Sequence, residues 1–244
     1  MTLLTLFNPR AVRLLLAASM FIAPMLVAQD PTLATLDASI RGLPLEEIAA
    51  HRSGDKLAVF LTGDGGFAEL DRAIAGVLAD SGIAVVALDS RAYLWRRRTP
   101  DEAARDVARV ARHYGARWHR DQLVLVGYSH GANLLPFVAT RLPVDLARRL
   151  TLLAMLGLGK GASFQFHFAD LFRDIDRSND LPILPELQKL QGRSMLCIYG
   201  AEEPRSACRD ADSTLLARYP VAGDHHFDQA YAAIGAIIAT AADR

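Results

Sequence analysis

Ser129, the acids Glu202 and Glu203, and the histidines His225 and His226 follow one another in an order that suits nucleophilic catalysis. A serine hydroxyl attacks a carbonyl only when an imidazole takes its proton, and that imidazole works best when a carboxylate orients it. Ser129 stands in Gly127-Tyr128-Ser129-His130-Gly131, a match to G-x-S-x-G. An apolar, β-branched run, Asp121 to Val126, precedes it, and a helical pattern from Ala132 to Ala139 follows. A sharp strand-to-helix turn needs small residues on both sides, because its strained backbone leaves no room for a Cβ. Such a turn lifts the hydroxyl clear of the sheet. It also sets the His130 N–H at a helix N-terminus, where it can bind an oxyanion. The competing interpretation of these five residues is a tight turn in some other doubly wound fold.

The acid belongs on the loop after a strand. Met195 to Tyr199 reads as that strand, and Gly200-Ala201-Glu202-Glu203-Pro204 follows it. Glu203 is favoured over Glu202 because it fits Gly-x-x-acid followed by proline; the plain alternative is two solvated loop acids. The general base belongs just ahead of the last helix, in Gly223-Asp224-His225-His226-Phe227-Asp228. There His225, the first histidine after the glycine turn, is favoured over His226. His51, His113, His119 and His167 read as ordinary residues, with His167 alone falling in the irregular 157–190 segment, where it could touch substrate. Thr62-Gly63-Asp64-Gly65-Gly66-Phe67 leaves an earlier strand, and its glycines let backbone approach a developing charge. The second oxyanion donor is expected at Asp64, with Gly65 as alternative. A phosphate-binding loop is the rival, but the G-K-[ST] ending is absent. Phe67, Tyr128, Glu202 and Trp95 are candidate substrate contacts. Tyr93 and Trp95 precede Arg96-Arg97-Arg98. That basic loop is either a solvated helix lead-in or a contact for anionic headgroups and phosphodiesters. No cofactor is expected, and no set of residues has metal-ligand spacing.

The elements that must hold these residues alternate between strand and helix. Buried strands are expected at Leu57–Leu61, Ile83–Leu88, the run before Ser129, Leu150–Leu156, Ser194–Tyr199 and within Leu215–Val221. Helices are expected at Glu69–Asp80, from Thr99 to about His113 with Thr99 as N-cap and Pro100 at its first position, and at Phe227–Ala242. This alternation implies a mainly parallel sheet with helices on both faces. With the order serine, acid, histidine it points to the α/β-hydrolase fold. Residues 157–190 break the alternation with glycines, prolines and phenylalanines, and read as a lid-like insertion.

The first 28 residues read as a cleaved signal peptide: Arg10 and Arg13, then an apolar run from Leu14 to Val27 ending in Leu26-Val27-Ala28. A single exported domain from 29 to 244 is expected, placed in the periplasm. Without that segment the chain carries 25 basic and 27 acidic residues, a net charge of −2, which gives no case for a nucleic-acid partner. Export permits a disulfide, and Cys197 and Cys208 are spaced for one small closed loop. The alternative is two unrelated buried thiols.

At these same stretches the chain resembles the bacterial AcvB/VirJ family of exported α/β-hydrolase-like proteins. The likeness is carried by Thr62–Phe67, Asp89-Ser90 through Trp95, Arg98-Thr99-Pro100, Gly127–Ala132, Cys197–Gly200 and Gly223–Phe227. It departs from the family at Phe67, where tryptophan is usual, and at His130, where phenylalanine is frequent. The chain is similar to the short form, without the extra N-terminal domain of longer members. The resemblance implies one of two functions. One is periplasmic hydrolysis of aminoacylated phosphatidylglycerol, notably the lysyl form, with peripheral contact at the outer face of the inner membrane. The other is accessory work in type IV secretion, binding exported substrates and secretion-system proteins. A general carboxylesterase is the remaining reading of the residues alone.

Overall fold

The computed structural model describes residues 37–166 and 180–244. The expected signal peptide, His167 and the middle of the 157–190 insertion lie outside them. Runs of Val, Leu, Ile and Ala form the strands of a seven-stranded sheet. In chain order these are β1 (Leu45–Ile48), β2 (Lys56–Leu61), β3 (Ala84–Leu88), β4 (Gln122–Tyr128) and β5 (Leu150–Leu156). After the short β6 (Gly161–Ala162) and β7 (Leu181–Pro182) come β8 (Met195–Gly200) and β9 (Ala217–Val221). The sheet order is β1-β3-β2-β4-β5-β8-β9. Every pairing in it is parallel except that of β1 with β3. β6 and β7 pair antiparallel as a separate ribbon at the base of the insertion.

The sheet is covered on both faces, which is why its inner strands are apolar at nearly every position. Leu57, Val59 and Leu61 face the side of α3 (Pro100–Arg117) and α4 (His130–Ala139). Ala58 and Phe60 face the side of α1 (Glu69–Asp80) and α8 (Tyr231–Ala242). Thr99 caps α3 as its sequence foretells: its side chain accepts the Glu102 N–H while Glu102 reaches back to the Thr99 N–H. Two more short helices, α2 (Ser90–Tyr93) and α5 (Val144–Arg149), precede β4 and β5, and α6 (Leu184–Lys189) and α7 (Ala207–Asp210) flank β8.

Two expected helix boundaries move. α3 continues past His113 to Arg117, because Tyr114 is buried in the core and holds the extra turn in place. The closing helix begins at Tyr231 instead of Phe227. Phe227, Asp228 and Gln229 have φ of 60°, 46° and 63°, so the chain turns left-handed there. That turn buries Phe227 completely in the core directly after the two histidines.

Candidate active site

The residues singled out by their order meet above the carboxyl ends of β4, β5 and β8. Ser129 takes φ 52° and ψ −117°, a strained conformation for a residue with a Cβ. Its N–H donates to the Leu156 carbonyl at 2.8 Å, which ties the turn to β5. Gly131 makes the turn possible: a Cβ there would collide with the carbonyls of Leu61 and Thr62. The first turn of α4 therefore presses directly on the end of β2 and the start of the loop that follows it.

His225 bridges the other two groups. Its Nε2 lies 2.8 Å from Ser129 Oγ, and its Nδ1 lies 2.7 Å from Glu203 Oε1. The carboxylate facing Nδ1 fixes the proton on that nitrogen, leaving Nε2 to accept from the serine hydroxyl. Glu203 is nearly buried, and its Oε2 has no hydrogen-bond partner among the described residues, so the imidazole is its principal support. Glu202, the competing acid, turns to the cleft wall. The competing histidine also points elsewhere: His226 Nδ1 lies 3.2 Å from the Tyr128 hydroxyl.

The cleft above Ser129 holds about 380 Å³. Its acidic side chains are Asp64, Asp180, Glu202, Glu203 and Asp224, and its cations are Lys160 and Arg205. Ser129, His130, Asn133, Ser163, His225, Pro204 and three glycines complete the wall, so among the described residues no large aliphatic or aromatic side chain faces it. The first turn of α4 organises one side. His130 Nε2 donates to the Ser163 carbonyl at 2.8 Å, and Asn133 Oδ1 accepts the Gly159 N–H at 2.8 Å.

Several expected contacts sit elsewhere. Asp64 reaches the cleft, but Gly65 faces a separate basin on the other side of their shared loop. Phe67 packs against the core beneath α1, with the Arg72 guanidinium over its ring. Tyr128 is buried behind His225, rings stacked at 5.4 Å, with its hydroxyl 3.3 Å from the His225 carbonyl. Burial raises the pKa of that phenol, so its hydroxyl stays a donor that braces the histidine loop. Trp95 lies in the basin with Gly65. Of the residues set aside as ordinary, His51 pairs with Asp80 on the surface and His113 is buried in α3.

Cys197 on β8 and Cys208 on α7 are joined by a disulfide. The bridge closes the loop that carries Glu203. Sequence reasoning missed three supports of the site: Gly157, Asn133 and Tyr128 as a brace. Asn133 carries a signal in hindsight, since it shares a helix face with His130 at a spacing of three.

Several solved structures are similar to this chain. Est1E from Butyrivibrio proteoclasticus is 13% identical with a TM-score of 0.57, over 80% of this chain and 90% of that one. MenH from S. aureus is 11% identical with a TM-score of 0.61, over 82% and 99%. A lipase in its open form is 13% identical with a TM-score of 0.56, over 82% and 94%. At such identities the likeness establishes the α/β-hydrolase fold. No curated protein is close enough in sequence to count as a relative. Residues 55–244 match the family described as bacterial virulence protein (VirJ), and the chain therefore belongs to the VirJ family, built on an α/β-hydrolase fold.

Proposed function

We propose that this protein is a periplasmic serine esterase that removes the aminoacyl group, lysyl above all, from phosphatidylglycerol. The observation that carries the hydrolase reading is the unbroken line from Ser129 Oγ through His225 to Glu203. In the proposed reaction His225 Nε2 takes the serine proton as Oγ attacks the ester carbonyl. The carbonyl oxygen becomes an oxyanion, held by the backbone N–H groups of His130 and Asp64. Glu203 stabilises the imidazolium, which then protonates the departing glycerol oxygen. Water repeats the sequence on the acyl-enzyme and releases the amino acid.

The cleft supports the choice of acyl group. Among the described residues a fatty chain finds no apolar wall in it, whereas a short acyl group bearing ammonium charges meets Asp64, Glu202 and Asp224. The family resemblance and the signal-like leader support the lipid and the compartment. The test is incubation of the purified protein with lysyl-phosphatidylglycerol and detection of free lysine and phosphatidylglycerol. Release by wild type and none by Ser129→Ala is the expected result. Turnover of simple acyl esters without lysine release would point to a general carboxylesterase. Turnover of neither would favour a binding role in type IV secretion, which the family's description as virulence proteins supports.

A further inference from the structure

Across the Asp64–Gly65 loop from the cleft lies an open basin lined by Arg91, Tyr93, Trp95, Arg96 and Arg98, with Asp89 at its floor. Its aromatic and cationic groups are stacked on one another. Trp95 stacks on Phe166 at 5.9 Å, Arg91 lies over the same ring at 5.8 Å, and Arg98 lies over Tyr93 at 4.7 Å. The Phe166 N–H donates to the Leu94 carbonyl and the Arg98 N–H to the Phe164 carbonyl, so backbone bonds hold the rim in shape. Yet Trp95 is 69% exposed, the most exposed large apolar side chain among the described residues. Arg91, Arg96 and Arg97 are also exposed, and among the described residues none of them pairs with a carboxylate. Asp89 is turned away from them: its Oδ1 accepts the Ala92 N–H at 2.9 Å and its Oδ2 lies against Gly66, leaving three arginines around one carboxylate.

A supported indole held out in water, ringed by guanidinium groups that pair with no carboxylate among the described residues, matches the chemistry of a charged bilayer surface. Indoles prefer the headgroup layer, where one edge is wet and the other apolar, and guanidinium groups chelate phosphodiesters. We infer that Trp95, Arg91, Arg96 and Arg97 form a docking surface for an anionic phospholipid bilayer. The cleft and the basin share the Asp64–Gly65 loop and the Ser163–Phe166 segment, so docking here brings the cleft mouth to the level of the headgroups. This inference goes beyond the hydrolase reading and is measured without any turnover.

The experiment is co-sedimentation of the full chain with extruded phosphatidylcholine vesicles, alone or with about a third phosphatidylglycerol, at near-physiological salt. Binding to the anionic vesicles only is expected, weakening as salt is raised. Arg96→Glu/Arg97→Glu should reduce the partition coefficient at least about tenfold, with the circular dichroism of the free protein unchanged. Tryptophan emission should shift to the blue on binding in wild type, and the shift should vanish in Trp95→Ala although Trp118 remains. Ser129→Ala should bind as wild type does. Equal binding to both vesicle types, binding to neither, or undiminished binding by the double variant would each overturn the inference. Hydrolysis of a water-soluble aminoacyl ester is read separately, so failure of docking and failure of the esterase reading are distinguishable.

Discussion

Gly157 and His225 are in van der Waals contact: a Cβ built on Gly157 would lie 2.6 Å from Cε1 of the imidazole and 2.8 Å from Nδ1. The glycine also has φ 59°, which a residue with a side chain adopts only under strain. The end of β5 thus leaves one flat space, and the ring that bridges Ser129 and Glu203 fills it.

Gly157→Ala is therefore expected to push His225 out of line. The loss should appear in kcat, roughly 10²-fold or more, from an ångström-scale displacement of the base. Unfolding free energy should fall by only about 1–2 kcal/mol, from backbone strain. Steady-state kinetics and urea unfolding on the same preparation check both. Unchanged kcat in the folded variant would show that the ring tolerates displacement.

The neighbouring acids and histidines should separate in the same way. Glu203→Gln is expected to lower kcat far more than Glu202→Gln, and His225→Ala more than His226→Ala. Glu203 and His225 share the 2.7 Å hydrogen bond, whereas Glu202 lines the wall and His226 faces Tyr128. Losing the orienting acid should cost on the order of 10⁴-fold in kcat. The reverse ranking in either pair would move the role to its neighbour.

Much of this arrangement was legible in the sequence because each functional loop is punctuated. The elbow is flanked by Gly127 and Gly131, the acid loop opens on Gly200 and carries Pro204, and the histidine loop opens on Gly223. What stayed hidden depends on packing between distant segments. β1 is only four residues long, LEEI, and half exposed, so it has no periodicity to read. Gly157 looks like any strand-ending glycine until His225, 68 positions later, is placed against it. Tyr128 sits inside the elbow motif, but the strand's pleat turns its side chain to the sheet face covered by α1 and α8, where it packs against Phe227 behind His225. The direction of a side chain at a strand end follows from register, and single-sequence patterns do not supply it.

The disulfide between Cys197 and Cys208 links positions 11 apart, around the acid loop. Cys197→Ser/Cys208→Ser should lower unfolding free energy by about 2–3 kcal/mol, the chain-entropy effect of opening a loop of this size. It should also lower kcat, since Glu203 loses its clamp. Urea unfolding of wild type with and without reductant gives the same comparison. Identical midpoints would show that the bridge contributes nothing.

Asp71 supplies a prediction about pH. It is buried near the start of α1, where Oδ2 accepts the Ala68 N–H at 3.0 Å and Oδ1 has no partner among the described residues. Burial pushes its carboxyl up from 3.8 to about 6. Because the folded state holds this proton more tightly, the group stabilises the fold fully below about pH 4, and that contribution is lost as pH rises through 6. Asp71→Asn keeps an acceptor for Ala68 without the titration. Relative to the variant, wild type should therefore lose up to about 3 kcal/mol of stability between pH 4 and pH 8. Denaturant unfolding of both proteins at the two pH values measures the difference. A constant gap would mean that Asp71 does not change charge on folding.

The claim that Ser129 is an activated nucleophile is tested most directly by covalent labelling. Incubation of the folded protein with a fluorophosphonate probe, followed by intact-mass and peptide mass spectrometry, should give a single adduct on Ser129. The adduct should be absent from Ser129→Ala and its formation strongly slowed in His225→Ala, because only the 2.8 Å contact with Nε2 makes this hydroxyl reactive. An unlabelled wild-type protein, or an adduct on another residue that persists in Ser129→Ala, would contradict the assignment.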